Sequence, residues 1–419
     1  MAETIASKLA KRIHTDGAPY HKGTTEPAGA VEGDIFFNTT SNVMFAHNGS
    51  EFVKISSEIA VLSSVTGDYY GLSKSLTLAG TGFLTESLVV TFTHSGVDRQ
   101  VTVTPSSDTA ATVTTPAALD SAVSSGDTVT VKVTNSDGSS SSGVDITVLV
   151  LPSGGTVTTS GSYRIHTFTS SGNFVTPITL SNVEHLIIAG GGGGGHSVHG
   201  HQGGGGGAGG YRSSVGSENS GGGASTESVT SSLSAATYPV VVGAAGARSV
   251  SEATQGGNGG TSSWNSISTV GGGGGGAGSN GGSNRGGRNG GSGGGGASSD
   301  QSVSSGGTGT SGQGYAGGSP QSQGNGASGA GGGAGSVGAS SNAIGTGTNN
   351  TGGGSGVASS VTGSSVTRAL GGNVQGTSQS GLADAGANTG TGGIGGYNGG
   401  SGENGYNGGS GVVIIRYQL

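Results

Sequence analysis

Hydrophobic and polar residues alternate along most of the first half of this chain, in short runs of the kind that form β-strands. Runs such as SLVVTFTH, RQVTVTP and DTVTVKVTN are rich in valine and threonine, and turn residues separate them. Residues that alternate in this way turn one face of a strand toward a core and the other toward solvent. The pattern predicts a mainly β protein whose strands are short.

A longer period marks residues 1–20. Ile5, Leu9 and Ile13 recur every four residues among lysines and an arginine, which predicts a short amphipathic helix. A helix this short is marginal alone. We therefore expect it to dock on a larger assembly or to join other copies of the chain in a homo-oligomer, most often a trimer in fibres. A frayed terminus is the alternative.

Residues 21–58 predict a small β-hairpin module. DIFFN, NVMFAH and EFVKI are strand-like, and Asn48-Gly49 before the third of them is a strong hairpin signal. Such a meander has too little core to be stable by itself. It resembles a module of phage tail-fibre and other virion structural proteins, in which GD(I/L)(F/Y)(F/Y)N precedes a turn and NGSxF. Asn48 also fits a glycosylation sequon, which we interpret as a hairpin turn.

Residues 59–152 predict an immunoglobulin-like β-sandwich, because the number of Val/Thr-rich strands in this length is typical of that fold. GTGF, ATVTTP and VKVTNSDG follow one another in the order and spacing of IPT/TIG-type domains, which the segment resembles. The resemblance implies a spacer or a binding module rather than a catalyst.

Residues 153–419 alternate short strand-like stretches with glycine runs, and 80 of the 97 glycines lie at or beyond Gly190. Ordered glycine runs need partners for their backbone groups, so we predict polyglycine II-type helices that exchange hydrogen bonds with their neighbours. The strict three-residue period of collagen is absent, which excludes a collagen triple helix. Any Cβ would hold such helices apart, which requires glycine at inward positions and leaves Ser, Asn and Thr at outward ones. A flexible linker is the alternative, and the recurring strands count against it.

The glycine-rich part also carries a set of ordered motifs. RIHTFTSSGNF, VEHLIIAGGGGGG, YPVVVGAAG, SSWNSISTVGGGGGG and GGSGVVIIRY occur in this order. The segment from about Gly155 to Leu419 thereby resembles a glycine-rich family of tailed phages. GAAGARSV at 243–250 departs from the two adjacent glycines that the family has at this turn.

Composition narrows the chemistry. Charged residues make up 9% of the chain and cysteine is absent, which excludes disulfides, thiolate nucleophiles and cysteine-based zinc sites. Without a basic stripe we expect no nucleic-acid partner. We recognise no secretory signal and no apolar run long enough to cross a bilayer. We therefore expect no membrane insertion, synthesis in the host cytoplasm and release by lysis.

Large side chains are scarce among the glycines, and a few of them are our candidates for receptor contacts: Tyr211, Arg212, Trp264, Tyr315, Tyr397 and Tyr406. Such residues are enriched at binding hot spots, and aromatic faces stack on sugars. For Trp264, Tyr397 and Tyr406, an equal alternative is a hydrophobic plug at the edge of the packed glycine helices. His199 and His201 have the alternate spacing that presents two imidazoles to a metal ion, with an exposed loop as the favoured alternative. No cofactor is predicted.

Catalytic motifs carry little weight in so glycine- and serine-rich a chain, because G-x-S-x-G matches arise there by chance. We predict no enzymatic activity, a two-carboxylate glycosidase being the alternative.

We expect a virion protein, a phage tail-fibre or appendage adhesin for host attachment. Residues 1–58 would attach it to other virion or tail proteins, and its glycine-rich tip would bind a host cell-surface glycan or protein. The alternatives are a capsid decoration or fibril structural subunit without receptor binding, and a bacterial surface adhesin, which the missing export signal disfavours.

Overall fold

The computed structural model describes residues 20–39, 43–54, 59–67, 75–83, 87–136, 138–252, 254–279, 283–300, 302–323, 326–341, 352–374, 383–397 and 402–418. The predicted N-terminal helix lies outside these residues, except for Tyr20, which begins a strand. The chain divides into two compact units, Met1–Leu151 and Pro152–Leu419. Strands dominate both units, which confirms the mainly β fold. Within the described ranges, no helix is both long and apolar enough to cross a membrane.

The first unit begins with a four-stranded sheet in the order β1-β2-β3-β4. Its strands are β1 (Tyr20–Gly23), β2 (Ile35–Asn38), β3 (Val43–His47) and β4 (Phe52–Lys54). Strands β2 to β4 are antiparallel, as the hairpin pattern predicts. The sequence did not predict β1, which pairs parallel with β2.

A β-sandwich occupies the rest of this unit. One sheet has the order β5-β6-β9 and the other the order β11-β10-β7-β8. The strands are β5 (Val61–Gly67), β6 (Ser75–Thr81), β7 (Leu88–His94), β8 (Val97–Val103), β9 (Ala110–Thr114), β10 (Thr128–Asn135) and β11 (Val144–Thr147), with a short helix α1 (Ala117–Asp120) after β9. Val129, Val131 and Val133 of β10 point into the core that the two sheets share. The immunoglobulin-like sandwich is confirmed.

The second unit contains a central sheet in the order β12-β13-β23-β15-β16, with β17 paired to β15. A second sheet has the order β14-β18-β19-β20, and β21 and β22 form a separate hairpin. The strands are β12 (Thr156–Ser160), β13 (Tyr163–Phe168), β14 (Gly172–Thr176), β15 (Leu180–Ile188), β16 (Tyr211–Ser213), β17 (Thr230–Leu233), β18 (Ala236–Val241), β19 (Ser262–Trp264), β20 (Ile267–Thr269), β21 (Val357–Ser359), β22 (Val366–Arg368) and β23 (Val412–Gln418).

The central sheet is buried on both faces, and strand β23 shows how. Val412 and Ile414 belong to one hydrophobic core, whereas Val413, Ile415 and Tyr417 belong to the other. Successive side chains of a strand point to opposite faces, so the apolar run VVIIRY supplies both cores. The most C-terminal strand thus lies between β13 and β15, at the centre of the sheet.

Strand β15 continues directly into the glycine run 190–195, whose amides donate to three neighbouring runs in turn. The donor and acceptor residues are Gly190 to Gly260, Gly191 to Gly409, Gly192 to Gly207, Gly193 to Gly257, Gly194 to Tyr406 and Gly195 to Gly204, over 2.8–3.0 Å. The fourth amide, of Gly193, donates to the same run as the first amide, of Gly190. A repeat of three residues is the period of a polyproline II-type helix.

The carbonyl groups of this run accept hydrogen bonds from three further runs. Their donor residues are Gly272 and Gly275, Gly246 and Ser249, and Gly393 and Gly396. The run is therefore surrounded by six neighbours. We call this array of hydrogen-bonded glycine runs the lattice; it confirms the predicted polyglycine II-type packing.

The lattice leaves no room for a side chain at its inward positions. A Cβ added to any residue of 190–195 would overlap the backbone carbonyl oxygen of a neighbouring run, for example Ala244 O at Gly190 and Ile394 O at Gly194. Glycine is required at these positions because the backbones themselves are in contact, as the sequence predicted.

Candidate functional site

The two ends of the lattice differ in what joins its runs. At one end the runs continue into strands. Strand β15 ends at Ile188, just before the first run, and strand β16 begins at Tyr211, just after the second. At the opposite end, which we call the loop end, turns join consecutive runs. The described residues of four such turns lie within 196–202, 249–255, 298–303 and 402–404.

The first of these turns is a tight hairpin. Val198 and His201 exchange backbone hydrogen bonds of 3.0 and 2.8 Å, and the two residues between them have φ values of 50° for His199 and 92° for Gly200. Positive φ at both central positions is the geometry of a type I′ turn. The segment HSVHGHQ therefore reverses the chain at the loop end.

This turn separates the two histidines that we considered as metal ligands. His199 is exposed at the tip, whereas His201 is completely buried. Its Nε2 lies 3.7 Å from Oδ1 of Asp300. In the part of the chain that the structure describes, no group of three or more His, Cys, Asp or Glu side chains is placed to hold a metal ion. The turn thus sends the two imidazoles into different surroundings, and only His199 is exposed, as the favoured alternative of a loop predicts.

Neighbouring turns hold one another at the loop end. The amide of Gly326 donates to Gly200 O over 3.1 Å, and the Ser298 hydroxyl donates to Ala327 O over 2.7 Å. Ser197 donates its amide to Glu403 O over 2.9 Å. The turns thereby form one continuous surface rather than separate flexible loops.

His196 is the titratable group of this surface whose pKa is shifted. Burial lowers its pKa, while a hydrogen bond to Asn404 and the carboxylates of Glu252 and Glu403 act in the opposite direction. Arg285 lies close by and donates from Nη2 to the Ser302 hydroxyl over 2.6 Å. Charges of both signs are therefore present at this surface.

Apolar side chains are also exposed at the loop end. Val250 is 60% exposed and Val303 is 47% exposed. Neither was among our candidates from the sequence, which were chosen for aromatic or guanidinium groups. Their position in the sequence could have identified them, because each valine lies in a turn that joins two glycine runs and so lies outside the lattice.

Two of the predicted receptor contacts are buried, and for Trp264 burial agrees with the alternative of a hydrophobic plug. Tyr211 is 0% exposed and lies in one hydrophobic core, while Trp264 is 1% exposed and lies in the other. The Trp264 and Phe174 rings pack in a T-shaped arrangement, with 6.3 Å between ring centroids. Both residues belong to strands that pair beside the lattice, so their side chains fill the cores and do not reach a receptor.

The other four predicted contacts are half-buried and do not form one surface. Arg212 forms an ion pair with Glu227 and donates to Ser268 O over 3.1 Å, close to the strands. Tyr315 and Tyr406 lie within glycine runs, where their backbones bond to Gly333 and Ile394. Tyr397 lies at the loop end, where its carbonyl accepts a hydrogen bond from the Ser197 hydroxyl.

A serine, a histidine and a glutamate are linked in series near the strands. The Ser214 hydroxyl lies 3.1 Å from Nδ1 of His185, whose Nε2 lies 3.2 Å from Glu227 Oε2. Hydrogen bonds from His185 and Arg212 lower the pKa of Glu227 against the effect of burial, which is the largest single influence and raises it. Ser214 is 1% exposed and also accepts the His185 amide. A substrate cannot reach this hydroxyl, so the arrangement joins β15 to the chain that follows β16.

Comparison with known proteins gives a family. The family model described as "Glycine-rich domain" matches residues 167–418. Among solved structures, the crystal structure of chicken CNTN1 FN1-FN3 domains matches 35% of this chain at 19% identity and a TM-score of 0.17. The chain spans 55% of that structure's length. No match was found among the curated proteins.

Proposed function

The chain belongs to the glycine-rich domain family, and on that premise we propose that it is a non-enzymatic receptor-binding protein of a virus particle, a phage tail fibre or related appendage. In this proposal residues 1–58 attach it to other virion proteins, and the immunoglobulin-like sandwich is a spacer. The loop end of the lattice contacts a glycan or protein on the host cell surface. Copies associate as a homo-oligomer, most simply a trimer, and the protein leaves the host by lysis.

The observation that carries this proposal is that backbone groups hold the lattice together, whereas the side chains at its loop end are left for other contacts. Six neighbours surround the run 190–195, and their backbones supply its hydrogen bonds. Side chains at the loop end contribute little to that network, so their identity is free to vary while the scaffold stays the same. Binding residues are commonly carried by loops on a rigid scaffold for this reason.

The chemistry of the loop end suits a glycan or protein surface. Exposed Val250 and Val303 offer apolar contact, while His199 and the serines around them offer hydrogen bonds. A surface with few charges and small side chains predicts weak binding at each site. Several copies on one particle would convert it into firm attachment by raising the effective concentration of the remaining sites.

Binding of the full-length chain to intact bacteria tests the proposal. A fluorescent preparation is titrated onto a panel of strains that includes marine cyanobacteria, with and without enzymatic removal of surface polysaccharide. We expect saturable binding to some strains. Loss of binding after polysaccharide removal identifies a glycan receptor, and persistence identifies a protein.

Matched variants locate the contact surface. Val250→Asp and Val303→Asp place a charge at the loop end, whereas Val337→Asp changes an equally exposed valine, 59% accessible, near the strands. We expect the first two to weaken binding about tenfold or more, as removal of a buried interface contact does, and the third to leave it unchanged. Equal effects of all three, or no binding of a folded protein to any strain, would contradict the proposal.

A structural subunit without receptor binding is the second candidate, a capsid decoration or part of a fibril. The stiffness that the lattice gains from its interlocked backbones favours it. Under this alternative, virions would contain the protein in high copy number, and antibodies against the loop end would leave host attachment unchanged.

A further inference from the structure

The bond between Asn48 and Gly49 is one of eight Asn-Gly bonds in the chain. An asparagine followed by glycine is open to attack on its side-chain amide by the next backbone nitrogen, because glycine leaves that nitrogen unhindered. Asn48 and Gly49 lie in the exposed turn between β3 and β4, outside the lattice. The hydrogen bonds of this turn involve the backbone nitrogen of Gly49 and the side-chain oxygen of Asn48, which both take part in this reaction.

The nucleophile has a base beside it. The amide nitrogen of Gly49 donates to Nδ1 of His47 over 3.2 Å. Nδ1 therefore carries a lone pair directed at the proton that must leave before the nitrogen can attack. The His47 and Phe52 rings pack in a T-shaped arrangement, with 5.0 Å between ring centroids. A general base within hydrogen-bond distance of the proton it removes is the geometric requirement for this type of catalysis.

The electrophile has donors on its oxygen. Oδ1 of Asn48 accepts the amides of Ser50 and Glu51 over 2.9 and 3.0 Å. Negative charge develops on this oxygen when the carbonyl carbon is attacked. Two backbone N–H groups at this distance form an oxyanion hole, a device that stabilises such charge strongly.

We propose that Asn48 and Gly49 are a self-modifying site at which the turn catalyses succinimide formation. His47 Nδ1 takes the Gly49 amide proton as that nitrogen bonds to Cγ of Asn48. The tetrahedral intermediate collapses, the bond from Cγ to Nδ2 breaks, and the imidazolium returns its proton so that ammonia leaves. Water then opens the ring to give aspartate or isoaspartate.

The same dipeptide at four other positions, in the lattice or at its loop end, is held in the opposite way. Asn258, Asn289, Asn404 and Asn407 are each followed by a glycine whose amide donates to a backbone carbonyl, with acceptors Gly272, Thr308, Ser249 and Gly246. A nitrogen bound to a backbone carbonyl has no base to take its proton. These four positions should react slowly in the native protein.

Conversion of Asn48 would change the module that contains it. Glu51 follows in the same turn, and a Cβ added to Gly49 would lie 3.9 Å from Glu32 Oε2. The product therefore adds a carboxylate beside two existing ones, and like charges repel in this geometry. The turn of the N-terminal module would loosen after modification.

Peptide mapping of the aged full-length protein tests the proposal. Native and urea-unfolded samples are incubated at neutral pH, digested under mildly acidic conditions and analysed by mass spectrometry for aspartate and isoaspartate at each Asn-Gly bond. We expect position 48 to convert faster in the native than in the unfolded chain. The four other positions should show the reverse order.

Variants separate catalysis by His47 from mere turn exposure. His47→Phe keeps an aromatic ring against Phe52 but removes the base, and should slow native conversion at position 48 by roughly tenfold or more. Added imidazole should restore part of the rate in this variant, which a purely structural role would not produce. Conversion at position 48 that is no faster in the native protein, or an unchanged rate in His47→Phe, would overturn the proposal.

Discussion

At the scale of single residues, His166 is a buried polar side chain of the second unit that has specific partners. His166 is 0% exposed. Its Nδ1 lies 2.8 Å from Gly154 O and its Nε2 lies 3.2 Å from the Tyr417 hydroxyl. Burial lowers the pKa of His166 to about 4, although the hydrogen bond to Gly154 opposes this shift. The folded protein therefore keeps this imidazole neutral.

Lowering the pH should destabilise the second unit through His166. The unfolded chain binds the proton near pH 6.5, while the folded chain binds it near pH 4. The unfolded state holds more protons between these values, so stability is complete above the upper value and declines as pH falls through the window. The decline attributable to His166 is about 3 kcal/mol.

His166→Asn provides the comparison, because its amide retains a donor for Gly154 O but does not titrate in this range. Free energies of unfolding measured from pH 7.5 down to pH 4 should fall less steeply for the variant than for the native protein. Parallel curves for the two proteins would rule out His166 as the group responsible.

At the scale of the element, a glycine run is held by its neighbours and by nothing of its own. A polyproline II-type helix has no internal hydrogen bonds, so the run 190–195 depends entirely on the six runs around it. Tight contact of backbones is the condition for those bonds. Asparagine side chains complete some outer positions, as where Oδ1 of Asn373 accepts the Gly353 amide over 2.7 Å.

A single methyl group inside the lattice should therefore be costly. Gly194→Ala would overlap Ile394 O, and a backbone cannot move aside without breaking its other hydrogen bonds. We expect a loss of about 1–3 kcal/mol or more, as for overpacked cores. Gly352→Ala is the matched control, since a Cβ there meets no atom within 4 Å. Denaturant unfolding of both variants decides the matter, and equal stabilities would disprove the requirement for glycine.

At the scale of the whole molecule, the cores divide as the compact units do. One hydrophobic cluster lies entirely within the first unit, from Ala60 to Val148. The other two lie within the second unit, on the two faces of its central sheet. A unit with its own complete core is expected to fold by itself.

Each unit should therefore be stable as a separate fragment. We expect 1–151 and 152–419 each to unfold cooperatively, and thermal unfolding of an equimolar mixture to reproduce that of the intact chain. A fragment that shows no cooperative transition would indicate that its fold depends on the other. Calorimetry of the two fragments and the full chain provides the measurement.

Much of the architecture followed from the sequence alone. Alternation in runs such as TVTVKVTN decided which residues of β10 enter the core, because a strand has a period of two. Glycine runs bounded by strands predicted the lattice, because backbone groups need partners and glycine alone lets backbones meet. These features depend on local order along the chain, which a sequence displays directly.

Tertiary structure alone decided where the large side chains of the second unit lie. Tyr211 and Trp264 were candidates for a receptor surface, yet pairing with Ile188 and Val240 places them in strands that cover two cores. Val250 and Val303, two inconspicuous valines, are exposed at the loop end instead. The physical reason is that the exposure of a side chain depends on which distant segments pair. The register between runs that are tens to hundreds of residues apart cannot be inferred from the sequence of either run alone.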